Sequence, residues 1–419
     1  MSTAHELVEM VARRSYGKLV ALIAARTRDV SGAEDALADA FAIALAEWPA
    51  SGLPANPEAW LLTVARRRSI NVERHRQRGE AVADELQRLL PESPPSGIPD
   101  ERLALLFACA HPAIDSSIRA PLMLQAVLGL DAARIASAFL VSPAAMSQRL
   151  VRAKSKIREA GIPFRIPEPE ELPARVGAVL DAIYAAFAES WLDPNSSDGG
   201  LRDLTSEAIF LARVAADLLP EEAEALGLLA LMLYSEARHP ARRNGRGEYV
   251  PLDEQNASLW NREMIQEAEA LLWRASKLST VGRYQLEAAL QSAHVSRLLS
   301  GNENWEAILS LYDALFALTG SPVVALNRAV TLARLHGPAI ALAAVDEIAS
   351  GSPLEQYQPY WAARADLLAK AERYAEAHHA YELAIGLERD PAVREFLQRK
   401  QQFSAKNAEN SSVLGTDRE

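Results

Sequence analysis

The chain has 419 residues, 49% apolar and 24% charged, with a single cysteine, Cys109. It has the material for two or more packed cores and excludes an internal disulfide. No stretch of about 18 apolar residues occurs and the start has no apolar signal core, which predicts no membrane span and a cytoplasmic location. The net charge of −11 is unevenly spread: residues 1–165 hold 21 Lys and Arg against 18 Asp and Glu, and the remainder holds 23 against 37. The front third is suited to approach a polyanion, whereas the rear is repelled by one.

The predicted fold class is all-α, because Ala and Leu dominate and no useful alternating strand pattern occurs. A first helical block covers residues 1–78 and ends near Gly79. Glu34, Asp35 and Asp39 place three carboxylates at i, i+1 and i+5 on one of its helices. That pattern suits a basic partner helix and equally a solvated acidic face. A loop from Trp48 to Pro57, with Gly52, Pro54 and Asn56, follows. Beyond it Arg66, Arg67, Arg68, Asn71, Arg74, Arg76 and Arg78 make a basic helix end suited to phosphates. Residues 79–99 read as a linker that becomes Pro-rich at Pro91, Pro94, Pro95 and Pro99.

The second block, residues 100–161, contains the most informative segment. Ile118 to Leu128 is apolar and stops at Gly129; Asp131 caps a short helix to Phe139. Ser142-Pro143 then opens a third helix, with an N-cap Ser and Pro at the first helical position. Met146, Leu150, Ala153 and Ile157 recur at spacings of 4, 3 and 4 as its buried face. The other positions carry Ser147, Gln148, Arg149, Arg152, Lys154, Lys156 and Arg158. Two short helices joined by a tight turn, the second one basic, form the helix-turn-helix pattern. Its second helix enters a major groove: Gln148 and Arg149 suit adenine and guanine edges, and the later cations suit phosphate. On charge alone, a solvated basic face on an ordinary helix also fits.

Residues 162–173 form a second linker, with Pro163, Pro167, Pro169 and Pro173. Residues 174–402 read as an α-solenoid of helix pairs at a period of about 34 residues, tetratricopeptide-like in placing small and large residues. Trp361, Tyr374, Ala377, Tyr381 and Ala384 fit one repeat; Ala329, Leu332, Ala341, Val345 and Ile348 fit the one before it. Such repeats present a face to a peptide or protein, here a separate protein partner or the chain's own front half. The insertion from His239 to Asn256, with Arg242, Arg243 and Arg246, reads as a binding loop or a solvated connection. Residues 403–419 are polar and read as a disordered tail. No phosphate-binding Gly-rich loop, paired-His motif or nucleophile elbow appears, so no enzyme, cofactor or metal site is expected. Cys109 and His111 are too few to bind a metal.

A resemblance connects these pieces. Ala33-Glu34-Asp35-Ala36-Leu37-Ala38-Asp39-Ala40-Phe41, followed by Trp48, resembles the second conserved helix of domain 2 of extracytoplasmic-function sigma factors. The helix Trp60-Leu61-Leu62-Thr63-Val64-Ala65-Arg66-Arg67-Arg68-Ser69-Ile70-Asn71 is similar to their Trp-Leu-x-x-Ile-Ala-Arg-Asn helix. Ser116 to Arg158 resembles their domain 4. Phe107-Ala108-Cys109-Ala110-His111-Pro112 resembles the Cys-His-Pro element of the subgroup with a long helical C-terminal extension. One departure is Ala38-Asp39-Ala40, where the family has Gln, an acid, and Thr or Ala.

The resemblance implies a sigma factor that initiates transcription with core RNA polymerase and promoter DNA as partners. It places Glu34, Asp35 and Asp39 on polymerase. Asn56, Arg66, Arg67, Asn71 and Arg74 fall at the −10 element, with Asn56 beside a flipped base. Ser147, Gln148, Arg149, Arg152, Lys154 and Lys156 fall at the −35 element, and control passes to the C-terminal extension. The alternatives are a dimeric helix-turn-helix regulator with a peptide- or protein-sensing repeat domain, and a scaffold protein with no DNA role.

Overall fold

Local signals start and stop each helix of the computed structural model. It describes residues 2–27, 29–77, 101–138, 141–162, 164, 167–168, 170–192, 199–278, 280–351 and 354–416. The linker expected at 79–99 lies outside the described residues. Among the described residues the only β pairing is one isolated bridge, Arg243 with Tyr249, so the architecture is all-α.

The chain divides into two units, residues 1–217 and 218–419. The first contains α1 (Ser2–Thr27), α2 (Val30–Ser51), α3 (Pro57–Gln77), α4 (Arg102–Cys109), α5 (Ser116–Leu128), α6 (Ala132–Ala138), α7 (Pro143–Glu159), α8 (Pro173–Leu192) and most of α9 (Gly199–Leu218). Asp29 caps α2 by accepting the Gly32 N–H at 3.1 Å. Ala33, Leu37, Ala40, Ala44 and Trp48 form the buried stripe of α2, and Trp48 meets Trp60 of α3 edge-on with ring centroids 5.3 Å apart.

The two front blocks share one core. Helix α1 packs on α2 and α3 of its own block, and also on α4 and α5 of the next. At its crossing with α5, a Cβ on Gly17 would lie 1.4 Å from the Val127 carbonyl oxygen, so only glycine permits so close a backbone approach. Helix α8, from beyond the second linker, packs on α4 and α5. Its Arg175, 2% exposed, donates from Nη1 to the Phe107 carbonyl at 3.4 Å. The guanidinium of Arg102 lies 4.9 Å from the Phe210 ring of α9.

The second unit continues as α10 (Ala223–Ala237), α11 (Arg262–Ala275), α12 (Arg283–Ser300), α13 (Trp305–Thr319), α14 (Pro322–His336), α15 (Pro338–Gly351), α16 (Gln358–Lys370), α17 (Tyr374–Leu387) and α18 (Pro391–Thr416). Consecutive helices pack as pairs, and even-numbered helices also meet one another, α10 on α12 and α14 on α16. Small residues permit this: a Cβ on Gly227 of α10 would lie 2.5 Å from the Gln285 nitrogen of α12. Ala329, Ala341, Val345, Tyr360, Leu367, Ala377, Tyr381 and Ala384 share a single apolar cluster.

Two expectations change. The tail read as disordered after Phe403 continues as helix to Thr416, and Ser404 is fully buried and donates to the Lys400 carbonyl at 3.2 Å. Ala405, Lys406 and Ala408 are good helix formers, and the buried turn at Ser404 carries the helix past Phe403. The insertion between α10 and α11, exposed at residues 244–247, is more than a solvated connection. It is a strap fastened to three even-numbered helices or their ends. Asp253 pairs with Arg297 of α12 and, at 2.6 Å, with Arg334 of α14. Arg243 reaches Asp390, just before α18, at 2.6 Å, and Glu248 accepts from Arg399 of α18 at 3.1 Å. The Tyr249 ring meets Phe396 edge-on at 5.5 Å.

Candidate nucleic-acid interface

Helix α5 ends at Gly129 in the left-handed region, φ 69°, which turns the chain into α6. Asp131 begins α6 by accepting the Ala133 N–H at 2.9 Å. The Ser142 hydroxyl accepts the Ala145 N–H at 3.3 Å, and Pro143 takes the first position of α7. Met146, Leu150, Ala153 and Ile157 are buried and seat α7 on α5 and α6. The opposite face is thereby presented outward. Ser147, Gln148, Arg149, Arg152 and Lys156 are exposed on it.

Val151 belongs to the same outward stripe, and sequence reasoning passed over it. It is 61% exposed, one turn from Ser147 and adjacent to Arg152. An exposed valine among polar and cationic side chains offers an apolar surface of the kind that can pack on a thymine methyl. The available signal was its position, off the 4-3-4 buried register.

Lys154 differs from its neighbours. Its Nζ donates to Glu34 Oε2 at 2.6 Å, and the two side chains are 9% and 17% exposed. One turn on, Arg158 faces Asp29 at 3.8 Å. A residue expected at DNA thus pairs with one expected at polymerase, 120 positions apart. The Glu34 carboxyl is raised above the ordinary range, first by burial and against the Lys154 hydrogen bond and charge. Its Oε1 is buried with no hydrogen-bond partner. Burial, with a contribution from Glu34, pushes the Cys109 thiol up to about 12.

Glu34 therefore does not share one exposed face with Asp35 and Asp39. Those two are exposed at i and i+4, while Glu34 turns toward α7. The reason is the helical period: the step from 34 to 35 turns the side chain by about 100°, whereas 35 and 39 nearly eclipse.

Asn56 serves as a helix cap. Its Oδ1 accepts the Ala59 N–H at 3.1 Å while its carbonyl starts α3, and the residue remains exposed. Arg66 is half-buried, with its Nε lacking a partner, and burial next to Arg26 lowers its pKa. Arg67 is exposed. Asn71 and Arg74 lie on α3, with their side chains outside the described residues. Cys109 is fully buried in α4, and His111 Nδ1 accepts the Ala113 N–H at 3.1 Å. Among the described residues no cluster of three or more potential metal ligands occurs, and no helix is long and apolar enough to cross a membrane.

Comparison with known proteins yields two matches. A model described as a family of unknown function, DUF6596, matches residues 175–276, from α8 to just past α11. An uncharacterized protein of Rhizobium meliloti (strain 1021), R00370, is 38% identical over 369 residues, covering 86% of this chain and 87% of that protein. No solved structure matches the chain.

Proposed function

We propose that this chain, which belongs to the same family as the uncharacterized protein R00370 of Rhizobium meliloti, is an RNA polymerase sigma factor of the extracytoplasmic-function type. Residues 1–78 act as sigma domain 2 and residues 100–161 as domain 4. The single observation that carries the reading is α7: a capped helix on a helix-turn-helix, seated by Met146, Leu150, Ala153 and Ile157, with Ser147, Gln148, Arg149 and Arg152 facing outward. Such a helix offers bidentate groups to base edges and cations to phosphates, and reads a −35 element as duplex.

Domain 2 takes polymerase through Asp35 and Asp39, both exposed, and through Glu34 once it leaves Lys154. The basic end of α3, including Arg67, Asn71 and Arg74, follows the −10 phosphates beside Asn56. The rear region, 174–402, whose first two helices pack within the front unit, is a tetratricopeptide-like solenoid that controls this activity through a protein partner or through the front half of the chain. Support for that role is the even-numbered helix face, on which the strap already rests through Asp253, Glu248 and Tyr249.

Run-off transcription with purified core polymerase, the full chain and the promoter of the chain's own gene tests the reading. A promoter-dependent transcript that requires the chain is the expected result. Failure of the chain to bind core polymerase, together with sequence-specific DNA binding as a dimer, replaces the sigma reading with that of a helix-turn-helix regulator.

A further inference from the structure

We propose that the observed arrangement of α1–α7 is a self-masked state, in which α7 is held against the amino-terminal helices and must separate from them before the chain engages promoter and polymerase. The inference rests on the sigma reading for what is masked, but the masking itself is a physical property of the chain.

Four contacts hold the state together. The Glu34–Lys154 pair is nearly buried, at 17% and 9% exposure respectively, and the Asp29–Arg158 pair flanks it. Helices α1 and α5 cross at Gly17 with no room for a Cβ beside the Val127 carbonyl. Tyr16 covers Gly129, whose Cβ position lies 2.8 Å from the Tyr16 ring. Together they tie the helix-turn-helix to α1 and α2.

Promoter geometry demands the opposite. Elements centred near −10 and −35 lie about 25 base pairs apart, roughly 80 Å at about 3.4 Å per base pair. In this structure α7, assigned to the −35 element, instead touches α2, which belongs to the same domain as the −10 residues. The chain between Gln77 and Arg102, at roughly 3.4 Å per residue, is long enough to span about 80 Å. Masking therefore removes Glu34 from polymerase and Lys154 from phosphate in one contact, and leaves Gln148 and Arg149 exposed on a domain held in the wrong place.

The test uses Gly17→Ala in the full chain. Alanine suits the interior of α1 better than glycine, touches no residue assigned to DNA or polymerase, and collides with α5. The single cysteine, Cys109, fully buried in α4 beneath α1 and within reach of the Glu34 charge, reports separation by maleimide labelling. Labelling is expected to accelerate by about ten- to a hundredfold, the equilibrium shift that the usual cost of overpacking a well-packed contact corresponds to. Helicity by circular dichroism should be unchanged, and run-off transcription should rise. A second series guards against misfolding: Lys154→Glu should accelerate labelling, and adding Glu34→Lys should slow it again.

Labelling of Gly17→Ala as slow as the parent's, at unchanged helicity, overturns the proposal. So does faster labelling with unchanged or lower transcription when the parent is active. Faster labelling with rescue by the charge swap, but no polymerase binding by any variant, upholds masking and removes the sigma reading.

Discussion

Glu224 is the most exacting test of how the second unit is held together. It lies in the first turn of α10, yet its carboxylate caps a different helix. Oε2 accepts the Tyr284 N–H and Oε1 the Gln285 N–H, each at 3.0 Å, at the start of α12. Tyr284 and Gln285 are 3% and 7% exposed. Glu224→Ala strands two amide donors, each worth about 1–3 kcal/mol when buried and unsatisfied, and removes a negative charge from a helix N-terminus, about 0.5 kcal/mol. Burial raises the Glu224 carboxyl despite these bonds, so relief of desolvation offsets part of the loss. Glu224 itself is only part-buried, which trims the loss further. The expected net loss is about 2–3 kcal/mol, or roughly 5–10 °C in Tm for a unit of this size. Glu224→Gln keeps one acceptor and should lose about half as much. Urea unfolding of the full chain, with the two units resolved by fluorescence and circular dichroism, measures both. A loss below about 0.5 kcal/mol for the alanine variant refutes the inter-helix cap as a significant stabiliser.

Other outcomes follow from the same contacts. Gln148→Ala and Arg149→Ala should each weaken specific promoter binding by about 1–3 kcal/mol with Tm unchanged, whereas Lys156→Ala should lower binding to all sequences and reduce the salt slope by about 0.9; equal effects on random DNA from all three count against base readout. Val151→Ser should relax preference at a thymine by about 1 kcal/mol, measured by competition with uracil-substituted sites. In the strap, Asp253→Ala leaves Arg297, 10% exposed, without its carboxylate and should cost about 2 kcal/mol, while Arg334→Ala, 42% exposed at its side chain, should cost under about 1 kcal/mol; similar losses in urea melts defeat this ranking. His294 is depressed from 6.5 to about 4, first by burial and then by Arg297 and Arg238. Its neutral form is the folded one, so stability contributed by keeping it neutral is complete above about pH 6.5 and is lost as pH falls toward 4. The slope is at most about 1.4 kcal/mol per pH unit, and His294→Gln should flatten it in a pH series of melts.

Helices were legible in the sequence wherever their signals are local. Ser142-Pro143 starts α7 and Gly129 ends α5 because capping and left-handed backbone depend on neighbours within a turn. The 4-3-4 spacing of Met146, Leu150, Ala153 and Ile157 marks the buried face for the same reason, and small residues such as Ala377 and Ala384 mark where helices pack closely. The role of a charge was not legible. Glu34 and Asp35 are adjacent acids in the same composition, yet one is buried against Lys154 and the other faces solvent. Asn56 offered a polar side chain at a loop, and the first turn of α3 took its oxygen for a cap. The strap's Asp253, Glu248 and Arg243 find counter-charges between 44 and 151 residues away. Amphipathic period and capping are properties of a few consecutive residues, so the chain alone determines its helices and their buried stripes. Ion pairing and helix crossing depend on which distant stripes meet, and only the tertiary structure decided that Glu34 would find Lys154 and that Gly17 would lie on Val127.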